Sequence, residues 1–407
     1  MIPDRATSHA APHRPVRRRP KNRRAQIAAE AAAAFGAHGY HGVSMDDIAR
    51  RLDLSSAALY RHFPSKYALF KEELFRLASL AGGAVVLPDE AAGWPPDRRL
   101  DHVVTAIVTE TIANRPLVAL TRWERRYLEP ADREAFDTEF ATAIAALRRL
   151  IGEVRPDLHG HDRAVRAVAV FSVISSIGDH HAHLPAKSLA QLLRSAAWAL
   201  IRGDLSPDRT VQAPGEGVLP QTFKHEVLLR EAIELFHQRG YPNVSMEDIA
   251  GAAELSAASA VYRYYRSKSD LLTAAFRRVA DRMSAAIPAA TAATPSPAAA
   301  LGTLIDLYVA GSFNERALTF VYYAELGHVD APDQVTLRHL QHLIVAEWAK
   351  LVVAARTEFS AGAARILVHA GFSLVVDLGR AFSDAFCPQQ TVAQLLETTM
   401  IGRPQAR

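Results

Sequence analysis

The chain has 407 residues, 49% hydrophobic and 22% charged; that is more than one hydrophobic core usually serves, and the balance excludes a disordered chain. A single cysteine, Cys387, excludes a disulfide framework and a thiol metal cluster, and points to a reducing cytoplasm. The net charge is only +4, yet Arg14, Arg17, Arg18, Arg19, Lys21, Arg23 and Arg24 crowd together with no acid among them. Such a block is either a nucleic-acid arm or a solvated tail, and its place directly before the first motif favours the arm. No apolar run follows it to make a secretory signal. The apolar windows 167–177 and 366–378 are too short, and too close to Asp and Arg, to span a bilayer.

In chain order, the first predicted helix runs over residues 21–38, with Ile27, Ala31, Ala34 and Phe35 on one face and Gly39 as its stop. Ser44 caps a second helix, with Asp47 as the acidic partner of a capping box and Ile48, Ala49 and Leu52 as its apolar stripe. Ser55 caps a short third helix ending near Phe63, Pro64 breaks it, and Ser65 caps a long fourth helix from Lys66. Two short helices joined by a tight turn and packed on a longer one make a helix-turn-helix. Ser55, Ser56, Ala57 and Ala58 are small enough to let the third helix approach a major-groove floor, while Tyr60, His62 and Lys66 come next at spacings suited to flanking phosphates. Ser44 marks a helix N-terminus that favours an anion. Each residue also has a plainer reading: Tyr60 as cover for the core edge, Lys66 as a solvated charge, Ser44 as a cap alone.

The whole pattern recurs 201 residues later. "VSMDDIA" returns as "VSMEDIA", and "FSVISSIG" from Phe171 returns as "FSLVVDLG" from Phe372. The duplicated object is therefore a whole protein rather than a motif. The fold class is all-α, because helical periodicity recurs throughout without an alternating strand pattern. The predicted organisation is a basic arm (1–20), a first helix-turn-helix domain (21–80), a first helical effector and dimerisation domain (97–203), a linker (204–221), a second helix-turn-helix domain (222–283) and a second effector domain (298–403). A soft Ala- and Pro-rich stretch, 285–300, separates the last two.

"GVSMDDIARRLDLSSAALYRHFPSKYALF" resembles the DNA-binding domain of the TetR/AcrR family of bacterial transcriptional regulators. The resemblance implies units of about nine helices, three of them for DNA, ahead of a ligand-binding and dimerising domain. It also implies a double-stranded operator as partner and a small-molecule effector that releases a repressor. Arg17, Arg18, Arg19, Lys21, Arg23, Ser44, Ser55, Ser56, Ala57, Ala58, Tyr60, His62 and Lys66 are the DNA-facing candidates of the first motif. Ser245, Ser256, Ala257, Ser259, Tyr262, Tyr264 and Lys268 are those of the second. The second copy departs in two ways: no basic arm precedes it, and Leu255 to Tyr262 is one step longer than Leu54 to Tyr60. One extra helical residue rotates every later position by about 100°. The small residues 256–259 are where it is expected to be absorbed, leaving weaker or altered DNA contact.

In the family the last two helices of each subunit form a four-helix bundle with a partner's pair. Here residues 162–177 with 189–201, and 363–382 with 392–400, supply both pairs, so the simplest assembly is an intramolecular pseudo-dimer; a homodimer with four motifs is the rival. Trp123, Tyr127, Phe136, Phe140, Phe320, Tyr323 and Trp348 are candidate pocket residues, though such side chains are more often core. Arg122, Arg125 and Arg126 are either a solvated face or a seat for an acidic head group. His180, His181 and His183 lack the carboxylates and thiols of a metal site, and no metal or cofactor is expected. No G-x-S-x-G elbow, phosphate-cradling loop or H-E-x-x-H pair is present, so an enzyme is the weakest class. The alternative to a cytoplasmic regulator is an interaction protein on the same scaffold with one or both motifs inactive.

Overall fold

A computed structural model of the chain describes residues 22–206, 209, 211, 223–294 and 296–402. Arg17, Arg18, Arg19 and Lys21, and most of the expected linker, lie outside them. Among the described residues every regular element is helical. The first unit contains α1 (Arg23–His38), α2 (Met45–Arg51), α3 (Ser56–Tyr60), α4 (Lys66–Ala84), α5 (Pro96–Ala113), α6 (Arg115–Glu124), α7 (Pro130–Val154), α8 (Gly160–Ser175) and α9 (Ala186–Arg202). The second repeats them as α10 (Lys224–Arg239), α11 (Met246–Ala252), α12 (Ala258–Val261), α13 (Lys268–Ala293), α14 (Pro297–Asn314), α15 (Arg316–Glu325), α16 (Ala331–Ala355), α17 (Ala361–Ala381) and α18 (Gln389–Met400).

Local chemistry sets many of these boundaries. Serines at 44, 55, 65, 245 and 267 accept hydrogen bonds from backbone N–H groups of the first turn they precede. Gly39 and Gly240 close α1 and α10 with φ of 73° and 77°, a conformation that carries no Cβ penalty only for glycine. Within the expected soft stretch, 285–300, the break comes only after Ala293 and the part before it is helical. α13 runs on to Ala293 with Pro288 inside it, because Met283 and Ile287 pack on the core and the surrounding alanines favour helix enough to carry the lost hydrogen bond.

Among the described residues the apolar side chains form three cores. Ile27, Phe35, Ile48, Leu59, Phe63 and Phe70 pack the first DNA module against α6, and Leu228, Phe236, Ile249, Val261, Tyr265 and Phe276 pack the second against α15. The third is shared by both units: α8 lies against α17 and α9 against α18, so one chain supplies all four helices of the bundle. At Gly371 any Cβ would come within 2.2 Å of Leu396, so the absence of a side chain sets the α17–α18 approach. α17 is longer than its apolar window suggested. By length and composition it is long enough to cross a membrane, yet 72% of that window is buried inside the chain, and its apolarity belongs to the bundle.

Candidate nucleic-acid interface

The first module presents its reading edge through a rigid turn. Asp53 adopts a left-handed conformation, φ 54°, and the next residue, Leu54, donates its N–H to the Ala49 carbonyl at 2.9 Å. That turn sets α3 so that Leu59 and Phe63 are buried while Tyr60 is 50% exposed. Ser55 and Ala57 are exposed beside it; Ser56, Ala58 and His62 are half-buried. The Ser56 hydroxyl donates to Asp46, which fixes the start of α3 to α2. Arg23 opens α1, half-buried. Arg24 lies over the Phe63 ring at 4.1 Å and bonds both Glu72 and the His62 carbonyl, so the start of α1 is clamped. Two exposed cations that sequence reasoning missed flank this edge: Arg50 at the end of α2 and Arg61 directly after Tyr60. Their sequence signal was their place opposite the buried stripe.

Two expectations change here. The α2 N-terminus offered to a phosphate already holds a carboxylate: Asp47 accepts the Ser44 N–H at 3.0 Å while the Ser44 hydroxyl accepts the Asp47 N–H at 3.1 Å. The Ser44 hydroxyl, which donates to the same carboxylate at 2.6 Å, and then the Ser44 N–H hold the Asp47 pKa below its ordinary value. Lys66 points inward. Its ammonium donates to the carbonyls of Tyr40 and Val43, each at 3.1 Å, and lies 4.3 Å from the Tyr40 ring centroid. Burial lowers its pKa. Lys268 does the same with Tyr241 and Val244 at 2.6 Å each. Both lysines pin the loop between the first two helices of their module instead of standing free for phosphate.

In the second module the extra residue lengthens the turn, not the helix. Ala257 is extended, φ −162°, α12 starts only at Ala258, and the helix is four residues long where α3 has five. The delay restores register: Val261 is fully buried, Tyr265 is 3% exposed, and Tyr262 is 54% exposed like Tyr60. Ser245, Ser256, Ala257, Ser259 and Tyr264 are exposed along the same edge. The short helix has no side-chain cap, and Gly251 and Ala252 stand where the first module has Arg50 and Arg51.

A profile of the family described as "Bacterial regulatory proteins, tetR family" matches twice, at residues 27–72 and 228–275. The chain belongs to the TetR family. Among solved structures, a TetR-family transcriptional regulator from Bordetella parapertussis is similar at 16% identity, over 45% of this chain and 96% of that one, with a TM-score of 0.41. A bacterial regulatory protein of the tetR family from Rhodococcus RHA1 is similar at 24% identity over 45% and 98%, TM-score 0.39. The protein is accordingly a TetR-family DNA-binding transcriptional regulator carrying two family modules in one chain.

In this TetR-family chain a buried carboxylate ties the loop after the first helix of each DNA module to the helices behind it. Glu124, at the end of α6, accepts the Tyr40 N–H at 2.7 Å, and Glu325, at the end of α15, accepts the Tyr241 N–H at 2.9 Å. Tyr40 thus receives Glu124 at its N–H and Lys66 at its carbonyl. Burial raises the Glu124 pKa, with the Tyr40 hydrogen bond opposing it. Gly36 allows the contact: a Cβ there would sit 2.6 Å from the Pro116 carbonyl of α6.

The candidate pocket residues divide. Phe136 and Phe140 line a cavity of about 350 Å³ in the first unit, together with Ile107, Val118, Arg122 and Phe171. Tyr323 and Trp348 line a remnant of about 60 Å³ in the second. Trp123, Tyr127 and Phe320 line neither. Trp123 stacks on Tyr323 across the units, 5.4 Å between centroids, and donates its indole N–H to Asp179 at 2.7 Å. Phe320 packs 5.9 Å from Trp123. Tyr127 meets His41 edge-on at 4.5 Å and lies against Gly240 of the other module. These three join the halves. Arg122, Arg125 and Arg126 are not a solvated face: Arg122 pairs with Asp179 and Asp377, Arg125 with Asp137 and Arg126 with Glu325. Among the described residues no group of three or more His, Cys, Asp or Glu is placed to hold a metal ion.

Proposed function

We propose that the chain is a one-component repressor whose two unequal modules bind a single operator as an intramolecular pseudo-dimer. In this reading a small lipophilic or amphipathic effector entering the first unit's cavity releases the DNA. The observation that carries it is the connection Glu124–Tyr40–Lys66. α6 lines the cavity with Val118, Thr121 and Arg122, and two residues further on its last residue holds the backbone of the first DNA module. A displacement of α6 by a ligand is delivered to that loop through directed hydrogen bonds, which gives the two conformational states a physical handle. The bundle shared by α8, α9, α17 and α18 supports one chain as the working unit, in the cytoplasm and without a membrane partner. Tyr60, Ala57, Ser55, Arg50 and Arg61 read the operator more strongly than Tyr262, Tyr264, Ala257, Ser259 and Ser256, and the basic arm adds phosphate contacts to the first half-site only.

Two measurements test this. Light scattering is expected to give a monomer of 44.4 kDa, and gel shifts on the protein's own promoter region are expected to show sequence-dependent binding that falls steeply with salt. A dimer of fused chains overturns the pseudo-dimer, and flat or absent binding at low salt overturns the regulator. Within the same assay Tyr60→Ala is expected to weaken binding about tenfold and Tyr262→Ala clearly less; equal losses would mean that the modules are equivalent readers. Glu124→Ala touches no DNA yet is expected to lower operator affinity several-fold, because it leaves the Tyr40 N–H unpaired and frees the loop. Unchanged affinity would show that α6 is not coupled to the module.

A further inference from the structure

The two cavities differ because the same helical positions carry different bulk. Ile107 and Arg122 of the first unit correspond, 201 residues on, to Tyr308 and Tyr323, and Leu147 corresponds to Trp348. Tyr308, Trp348 and Phe372 close on one another at 4.5 to 6.0 Å between centroids, filling what the first unit leaves open as about 350 Å³. That first volume lies in the range of small-molecule sites, and the remnant of about 60 Å³ does not.

The open cavity has apolar walls, with Leu77, Ile107, Phe136, Phe140 and Phe171 among them, and its charged lining is Arg122, Arg125, Asp377 and Arg380, with Glu110, which accepts from Asn114 at 3.3 Å. The cations among them are not equally engaged. Arg122 is committed to Asp179 and Asp377, at 3.0 and 2.7 Å, and Arg125 to Asp137. Asp377 also accepts from Ser172 at 2.6 Å. Arg380 is the least engaged of these cations: its ion pair with Asp377 is long, 3.9 Å, its guanidinium lies over the Phe320 ring at 4.7 Å, and among the described residues it makes no hydrogen bond. Its side chain is 28% exposed and it lines the cavity. Burial pulls its pKa down to about 10, with Asp377 opposing and Arg125, Arg122 and Arg126 adding repulsion. A guanidinium in that setting has no carboxylate within hydrogen-bond distance and presents a forked donor array suited to one.

Arg380 belongs to α17 of the second unit, while most of the cavity wall belongs to the first. Its counterpart 201 residues earlier is Asp179, of opposite charge and already bonded to Arg122, Trp123 and Ser373, so the second unit receives no matching cation. The cation that does line the second remnant, Arg282, is paired with Glu315. We propose that each chain binds a single amphipathic carboxylate, its apolar body in the first unit's cavity and its head group on Arg380 of the second unit, and that the second unit's own cavity takes no ligand. This rests on the reading of the first cavity as the effector site and adds that the ligand is held across the seam between the halves.

Calorimetry of the full chain with decanoate and 1-decanol tests it without DNA. The expected result is saturable binding of one decanoate per chain, at least about tenfold tighter than decanol. Arg380→Leu is expected to remove most of that preference while decanol binding is retained, which also shows that the variant is folded; Arg380→Lys is expected to fall between. Two decanoates per chain, equal affinity for acid and alcohol, no decanoate binding, or an Arg380→Leu variant that still prefers the acid would each overturn the proposal. Failure of the repressor reading looks different: decanoate would bind as described and the operator complex would survive it.

Discussion

Arg122→Leu is expected to destabilise the chain by about 3–5 kcal/mol, seen as a lower denaturant midpoint in a single transition. Arg122 is 8% exposed in its side chain and donates to Asp179 at 3.0 Å, to Asp377 at 2.7 Å and to the Ser175 hydroxyl at 2.6 Å. Burial alone works against its charge, and the two carboxylates more than offset that. Removing the guanidinium leaves Asp179, 2% exposed, without a cation, and burial already pushes that carboxyl's pKa upward against the pull of Arg122. Asp377 is more open and has Arg380 nearby, so most of the loss falls on Asp179. Pairing the change with Asp179→Asn is therefore expected to recover part of the stability, because an amide can keep the Ser373 and Trp123 contacts without an unpaired charge. The transition stays single because Arg122 bridges units that already share one core. A loss below about 1 kcal/mol, or two separated transitions, would contradict this account.

The sequence carried what is local and repeated. The capping boxes Ser44–Asp47 and Ser245–Asp248, the closing glycines 39 and 240 and the offset of 201 are readable because each depends on neighbours along the chain or on comparing the chain with itself. The extra residue near Ser256 is located to within a turn, since only small residues there can leave the helix without losing core contacts. That the helix shortens instead of lengthening comes from the need to bury Val261 and Tyr265, and that constraint is tertiary. Lys66 escapes a sequence-based placement for the same reason. Its partners, the carbonyls of Tyr40 and Val43, lie on a different loop, and a lysine's sequence neighbourhood does not reveal backbone acceptors that far away. Trp123 and Tyr323 are the extreme case: periodicity marks each as apolar but cannot say that the other side of the contact is the duplicate unit.

The seam between the units also makes stability depend on pH. His180, 7% exposed, stacks on His369 of the second unit at 4.2 Å and 17° between planes. His180 Nδ1 accepts the Ala182 N–H at 3.1 Å and has Arg115 Nη2 at 3.5 Å, so the site is arranged for a neutral ring. Burial is the main cause of a His180 pKa held well below 6.5, followed by His369, Arg115 and His181. His369 is lowered to about 4 by burial, then by His342 and Arg115. Each ring titrates near 6.5 when unfolded, so between about pH 6.5 and 4 the unfolded chain binds more protons and stability falls as pH falls. From pH 7.5 to 5.0 the pair is expected to cost on the order of 2–4 kcal/mol, read by urea denaturation. Glu73, Glu124 and Asp179, whose pKa values are raised, contribute with the opposite sign in acid and trim the net slope. The difference between wild type and His369→Leu isolates the pair: the variant is expected to lose about half of the dependence or more, because it removes one titrating ring and relieves the other of its neighbour. An unchanged slope in the variant would place the acid sensitivity elsewhere, whereas a reduced one would make the seam between the halves the first contact to fail as the pH drops.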